Sequence, residues 1–112
     1  MITDIQFVVN IMTYIVTTTW FPAYIGAEIS KIYQEIGEKF PPDDSLATTI
    51  IPIASMMTKK GMKMMSISEV KRGKLYEALS RTHNTLALFS NVKEFKYTVE
   101  LFASAKEIYL RG

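Results

Sequence analysis

Residues 12–42 read MTYIVTTTWFPAYIGAEISKIYQEIGEKFPP, and this stretch places a strand directly before a helix. Residues 12–20 are rich in threonine, valine, isoleucine and tyrosine, which suit a pleated strand better than a helix. Pro22 follows where a helix can begin, because the first helical turn does not need the N–H that proline lacks. Five apolar residues then recur at helical spacing: Ile25, Ile29, Ile32, Ile36 and Phe40. Pro41 and Pro42 end the predicted helix.

A hairpin, a second helix and a last strand account for the rest of the chain. Residues 47–58 and 62–69 predict the two strands of the hairpin. Residues 71–89 predict a helix with an inward stripe of five residues: Leu75, Leu79, Thr82, Leu86 and Phe89. Residues 93–102 alternate apolar and polar side chains, which predicts the fourth strand. Residues 104–110 predict a last helical turn.

The order of these elements predicts the fold class. Strand, helix, hairpin, helix and strand, joined by right-handed crossovers, give an α+β domain of the β-α-β-β-α-β type. Its four-stranded antiparallel sheet carries both helices on one face, and its strand order is 4-1-3-2. Pro52 interrupts the second strand and cannot donate a hydrogen bond to a neighbouring strand. This order puts the second strand at an edge of the sheet, where a proline is tolerated.

Two helices leave the other face of the predicted sheet without cover. That face carries threonine, serine, methionine and some charge, and large apolar patches are rarely left in water. We therefore expect it to pack against a second copy of the chain, because two-fold pairing is the commonest form of self-association. Assembly beyond a dimer stays open at this point.

The element order, the chain length and the opening TTTWFP at residues 17–22 resemble the dimeric α/β-barrel proteins over residues 12–112. In that superfamily two ferredoxin-like protomers pack sheet against sheet. It includes small monooxygenases of the antibiotic-biosynthesis type, stress-responsive barrel proteins and many small members without an assigned activity. The resemblance is to these last members and implies a homodimer. It carries over no functional residue, and the histidine typical of the first strand of stress-responsive members is absent here.

The composition limits the possible partners and cofactors. A chain of 112 residues predicts a single domain over residues 1–112, with residues 1–11 as a candidate N-terminal extension. Met12 is an alternative start, and its use would make residues 1–11 dispensable. The net charge of +2 without a concentrated basic patch argues against a nucleic-acid partner. The chain has no cysteine and one histidine, so we expect no metal site and no cofactor.

The N-terminal stretch is not expected to target the chain or to enter a membrane. Residues 7–21 are fairly apolar, but the first six residues contain no lysine or arginine, and polar residues interrupt the run. A signal peptide needs a positively charged start, and a membrane-spanning helix needs about 20 apolar residues. We therefore expect a cytoplasmic protein with no membrane partner.

Three residues are candidate catalytic groups, and each has a structural alternative. His83 lies beside the apolar stripe of the second predicted helix, where a histidine can act as acid or base near neutral pH. Tyr76, seven residues earlier, points almost the same way. Glu100 points away from the helices on the fourth strand, and a carboxylate enclosed at a dimer interface can act as a base. A boundary histidine and an ion pair between Glu100 and Lys96 explain the same residues without chemistry.

Four further residues are candidate ligand contacts. In the predicted sheet, Thr17 and Thr19 add hydroxyl groups beside Glu100 on the neighbouring strand. Trp20, at the end of the first strand, can form the wall of a cleft. Met64 belongs to a group of hairpin methionines that can line an apolar pocket. Core or interface packing is the commoner role of such large apolar side chains.

Two functions fit these observations. The first is a homodimer that binds a small apolar ligand or serves as a structural or regulatory dimer. The alternative is a cofactor-independent enzyme, similar to a monooxygenase or an isomerase, acting on a small aromatic or apolar substrate between helices and sheet. An enclosed pocket that contains Glu100, His83 or Tyr76 favours the enzyme, whereas a solid core favours a dimer without chemistry.

Overall fold

The computed structural model describes residues 12–104, which form four strands and two α-helices in the predicted order. The elements are β1 (Thr13–Phe21), a 3-10 turn (Ala23–Ile25), α1 (Gly26–Lys39), β2 (Ala47–Thr58), β3 (Gly61–Val70), α2 (Leu75–Leu86), a second 3-10 turn (Ala87–Phe89) and β4 (Lys96–Ala103). The proposed extension at residues 1–11 lies outside the described residues. So does the predicted helical turn at residues 104–110, apart from Ser104.

The four strands form one antiparallel sheet in the order β2-β3-β1-β4, which confirms the predicted strand order. In the centre of the sheet, Thr17 of β1 is opposite Ser66 of β3 and Val99 of β4. Side chains directly opposite each other in an antiparallel pair point to the same face of the sheet. The register therefore fixes which residues share a face.

Pro52 lies in β2, an edge strand, as its missing N–H predicts. The pairing of β2 with β3 shifts register twice, between Thr49 and Ile51 and again between Ile51 and Ala54. Both irregularities fall beside the proline, because a residue that cannot donate to the ladder disturbs the pairing around it. The edge position confines this disturbance to one neighbouring strand.

Both helices pack on one face of the sheet and build two apolar clusters. The larger cluster combines residues of β1, α1 and the segment from the end of α2 to β4: Phe21, Ile29, Leu86, Phe89, Val92 and Phe95. The smaller cluster joins Ile15, Val70 and Ala78, and Val99 of β4 packs against both clusters. Each large apolar side chain that is fully buried contributes about 1.5–3 kcal/mol, so these clusters are the main stabilising feature of the domain.

The second helix and the fourth strand begin later than the sequence predicts. α2 starts at Leu75 because Gly73 has a φ of +75°, a left-handed conformation that a right-handed helix cannot include. β4 starts at Lys96 because the chain is still turning before it, where the Phe95 N–H donates to the Val92 carbonyl at 3.2 Å. In both places a turn replaces residues that the sequence pattern assigned to a regular element.

Candidate functional site

Small polar side chains occupy the centre of the helix-covered face of the sheet. Among the hydroxyl residues that β1, β2 and β3 direct to this face, five lie toward its centre, and we call them the hydroxyl floor: Thr17, Thr19, Thr49, Ser66 and Ser68. Thr17 and Thr19 stand between Ile15 of the smaller cluster and Phe21 of the larger one along β1. The helices therefore do not meet a continuous apolar surface, and the core divides at this point.

A groove of about 300 Å³ lies over part of the hydroxyl floor, between the two helices and the sheet. We call it the helix–sheet groove. Side chains from both layers line it: Ile15, Thr49, Ser68, Tyr33, Ile36, Phe40, Ala78, Arg81 and Thr82. Its volume is at the lower end of the range of small-molecule pockets, and its lining combines apolar walls with a few hydrogen-bonding groups.

Charged residues form the rim of the helix–sheet groove. Arg81 of α2 donates hydrogen bonds to the Phe40 carbonyl at 2.6 Å and to the Pro41 carbonyl, so it holds the end of α1 against α2. Asp43 accepts hydrogen bonds from the Ser45 hydroxyl at 2.6 Å and from the Ser45 N–H at 3.0 Å. These bonds, the side-chain one foremost, hold the pKa of Asp43 below its usual value.

A second, smaller cavity of about 50 Å³ lies near the groove, and Tyr33 lines both. The Thr19 oxygen is buried here and has no hydrogen bond of good geometry among the described residues. Burial raises the pKa of the Tyr33 hydroxyl, and the nearby Thr19 hydroxyl partly offsets this rise. A buried hydroxyl without a well-placed partner is costly, so the Thr19 hydroxyl lowers the stability of this layer.

Three of the four candidate ligand contacts come together in the smaller cavity, whose lining includes Thr17, Thr19 and Met64. The prediction that both threonines lie beside Glu100 is wrong. Glu100 pairs with Val16, whereas Thr17 pairs with Val99, so the threonines and the glutamate are on opposite faces of the sheet. Because strand side chains alternate with a period of two, an error of one residue moves a side chain through the sheet.

Trp20 is separated from the other three candidate ligand contacts. It lies on the helix-free face, and the Lys63 Nζ is 5.8 Å from the centre of its ring. It also lines an open cleft with Lys93 and Lys96. Trp20 therefore belongs to a basic end of the sheet and not to the helix–sheet groove.

The three candidate catalytic residues do not meet. Tyr76 and His83 are both exposed on α2, with Tyr76 80% accessible to solvent. Glu100 is exposed on β4 and points to the side of the sheet that the helices leave free. None of the three lines the groove or the smaller cavity. The structure offers no support for a catalytic group made of these residues.

Tyr33 and Arg81 are site residues that sequence reasoning missed. Tyr33 follows Ile32 of the predicted stripe, and this position is half-buried in α1. In the sequence, Arg81 follows Glu77 by four residues, a spacing that predicts an ion pair on the outer side of the helix. The structure instead packs α2 against the end of α1, where the Arg81 guanidinium donates to carbonyl groups about 40 residues away in the sequence.

The helix-free side of the sheet forms a regular grid, which we call the open face. Its four rows run across β2, β3, β1 and β4 in that order: Met56, Lys63, Trp20 and Lys96; Ala54, Met65, Thr18 and Thr98; Ile51, Ile67, Val16 and Glu100; Thr48, Glu69, Tyr14 and Phe102. The first row contains two lysines, and the last two rows contain two glutamates. The open face is therefore positive at its first row, uncharged at its second, and negative toward the other end, where Glu100 lies in the third row and Glu69 in the fourth.

Comparison with solved structures places the fold. A dimeric ferredoxin-like protein from an uncultured marine organism has a similar structure, with a TM-score of 0.62 at 12% sequence identity, over 85% of this chain and 96% of that one. The chain has the ferredoxin-like fold. At this identity the likeness concerns the fold alone. No protein-family model matches the sequence, and no curated protein matches it.

The described helices are too short or too polar to cross a membrane. No helix within residues 12–104 has the length and apolar character that a membrane-spanning segment needs.

Proposed function

We propose that the protein is a homodimer that pairs through the open face and binds a small, partly apolar molecule in the helix–sheet groove of each protomer. The groove over the hydroxyl floor is the observation that carries this proposal. A layer packed for stability alone fills such a space with apolar side chains, because protein interiors are close-packed. Hydroxyl groups facing an open groove are instead suited to a ligand.

The lining of the groove indicates the kind of molecule. Ile36, Phe40 and Ala78 offer apolar walls, and Thr49 and Ser68 place hydroxyl groups on the floor. Small-molecule sites combine these features, with apolar walls supplying most of the affinity and a few polar groups fixing the orientation. A molecule with an apolar body and one or two hydrogen-bonding groups fits this lining.

The open face supports pairing between two copies of the chain. Phe102 and Met56, at opposite corners of the grid, are 52% and 56% exposed. Between them lie the uncharged side chains of Val16, Ile67 and Met65, with Glu100 in the same row as Val16. A face of this kind is commonly buried against a partner, and the structural neighbour described above is a dimer.

The enzyme alternative has no comparable support. The residues proposed for its chemistry, His83, Tyr76 and Glu100, all lie outside the groove.

Two glycines of α1 provide a test of the ligand site. An added Cβ at Gly37 or at Gly26 meets no other atom within 4 Å, but only Gly37 lines the groove. We expect Gly37→Leu to fill the groove and to abolish the binding of small probes such as indole and phenol. Binding is measured from the NMR chemical-shift changes that a probe causes at Thr49 and Ser68. Gly26→Leu is the matched control and should leave binding unchanged. Equal binding by both variants, or no binding by the wild-type chain, would refute the ligand proposal.

Two neighbours on β4 provide a test of the pairing face. Phe102 and Leu101 are 52% and 49% exposed, but Phe102 is on the open face and Leu101 is on the helix side. Covering the exposed half of a phenylalanine buries about 100 Å², or about 2.5 kcal/mol per protomer at 25 cal/mol per Å². Phe102→Asn should therefore weaken the dimer by about 5 kcal/mol, roughly several thousandfold in Kd.

Sedimentation equilibrium measures this Kd directly. The control variant Leu101→Asn should leave it within about threefold of the wild-type value, a difference of less than 1 kcal/mol. A stronger effect of Leu101→Asn than of Phe102→Asn would move the interface to the helix side of the sheet.

A further inference from the structure

The distribution of charge on the open face restricts how two copies can pair. Lys63 and Lys96 share one end row of the grid, while Glu69 and Glu100 lie toward the other end. Successive residues in a strand are roughly 3.4 Å apart. Lys96 and Glu100 are therefore separated by roughly 14 Å along β4, and Lys63 and Glu69 by roughly 20 Å along β3. The two ends of the open face therefore differ in charge, which restricts the orientation of a partner.

Two sheets packed face to face can be related by a two-fold axis in the gap between them. If the axis runs along the strands, each lysine row lies over the partner's lysine row, and like charges gather at both ends. If the axis runs across the strands, it passes between the two middle rows, near Val16 and Thr18. Each lysine row then lies over the partner's last row, which places Lys63 over the partner's Glu69 and Lys96 one row away from the partner's Glu100.

We infer that the dimer has the second arrangement, with Lys63 of one protomer facing the partner's Glu69 and Lys96 one row from the partner's Glu100. This inference rests on the proposed pairing through the open face and specifies its geometry. Packed sheets are roughly 10 Å apart, a gap in which a lysine from one side and a glutamate from the other can meet. Two-fold symmetry repeats every such contact, so four lysines and four glutamates take part in each dimer.

The competing arrangement is disfavoured by electrostatics. It places four lysines together at one end of the interface and four glutamates at the other, where partial burial strengthens repulsion. Like charges placed opposite each other suppress an association, and complementary charges fix its register. The β2 and β3 part of the two middle rows is uncharged and tolerates either arrangement: Ala54, Met65, Ile51 and Ile67. The charged residues therefore decide between the two arrangements.

Charge reversal at Lys96 separates the two arrangements, because they predict effects of opposite sign. Lys96 and Glu100 are both exposed on an edge strand, so changing them should not disturb folding. In the inferred dimer, Lys96→Glu places a glutamate near the partner's glutamates and should raise the dimer Kd at least tenfold in low salt. The double variant Lys96→Glu/Glu100→Lys should restore the Kd to within about threefold of wild type, because the charges have only exchanged places.

Lys31→Glu is the control for the change in net charge. Lys31 is exposed on α1, away from the open face, and its reversal should leave the Kd unchanged. Native mass spectrometry and sedimentation equilibrium provide the readout. A tighter dimer for Lys96→Glu would show that like ends meet, which overturns the inferred arrangement and leaves pairing through the open face intact. If Lys96→Glu and Phe102→Asn both leave the Kd unchanged, the pairing face itself is wrong.

Discussion

Substitution of Gly61 should strongly destabilise the fold, because both its backbone conformation and its surroundings exclude a side chain. Gly61 opens β3 with a φ of +134°, a conformation that side chains rarely adopt. A Cβ at this position would lie 2.5 Å from the Phe21 carbonyl oxygen and 3.0 Å from the Pro22 Cα. Both are backbone atoms of the neighbouring chain segment, so neither can rotate away. Gly61→Ala should lower the free energy of unfolding by about 3 kcal/mol or more, because backbone strain adds to the clash between the new Cβ and the Phe21 carbonyl oxygen.

Gly73→Ala is the matched control for this prediction. Gly73 also has a positive φ, +75°, but an added Cβ there meets nothing within 4 Å. The control should cost about 1 kcal/mol, the strain of a left-handed residue alone.

Urea unfolding followed by circular dichroism, at one fixed chain concentration, compares the two variants. The difference of about 2 kcal/mol corresponds to a Tm lower by roughly 8–16 °C for Gly61→Ala. Equal stability of the two variants would refute the close approach of β3 to the end of β1.

Two further substitutions test the core. Ile29→Ala should lower the free energy of unfolding by about 2–5 kcal/mol, because Ile29 is 1% exposed. Ile32→Ala, at a half-buried position, should lower it by less than about 2 kcal/mol in the same urea titration. A larger loss for Ile32→Ala would contradict the observed helix face. Thr19→Val keeps the shape of the side chain and removes a buried hydroxyl without a good partner, so it should raise stability by about 1 kcal/mol. A loss of stability at Thr19 would show that the hydroxyl is hydrogen-bonded in solution.

Much of the fold could be predicted because its signals are local. The spacing of isoleucines in α1 identifies the helix and the side that it buries. Pro52 identifies an edge strand without any knowledge of its neighbours. The alternation in residues 93–102 correctly places Val99 toward the helices and Glu100 away from them. Each of these inferences needs only the residue and the geometry of its own element.

The candidate site was harder to predict because it depends on contacts between elements. The run Thr17-Thr18-Thr19 has no alternation, so the sequence does not say which hydroxyl faces the helices. The pairing of Val16 with Glu100 decides it. Arg81 holds the end of α1 through backbone carbonyl groups, an interaction that leaves no mark in residue type or spacing.

The methionines of the hairpin allow the most direct test of the pairing face, because the register divides them between the two sides of the sheet. Met56 and Met65 lie on the open face, and Met57, Met62 and Met64 lie on the helix side. The measurement is an isotope-filtered NOE experiment on dimers that combine a methyl-labelled protomer with an unlabelled one. Intermolecular NOEs from the Met65 methyl group, and none from Met64, are the predicted result. Intermolecular NOEs from Met57 or Met64 with none from Met65 would contradict pairing through the open face.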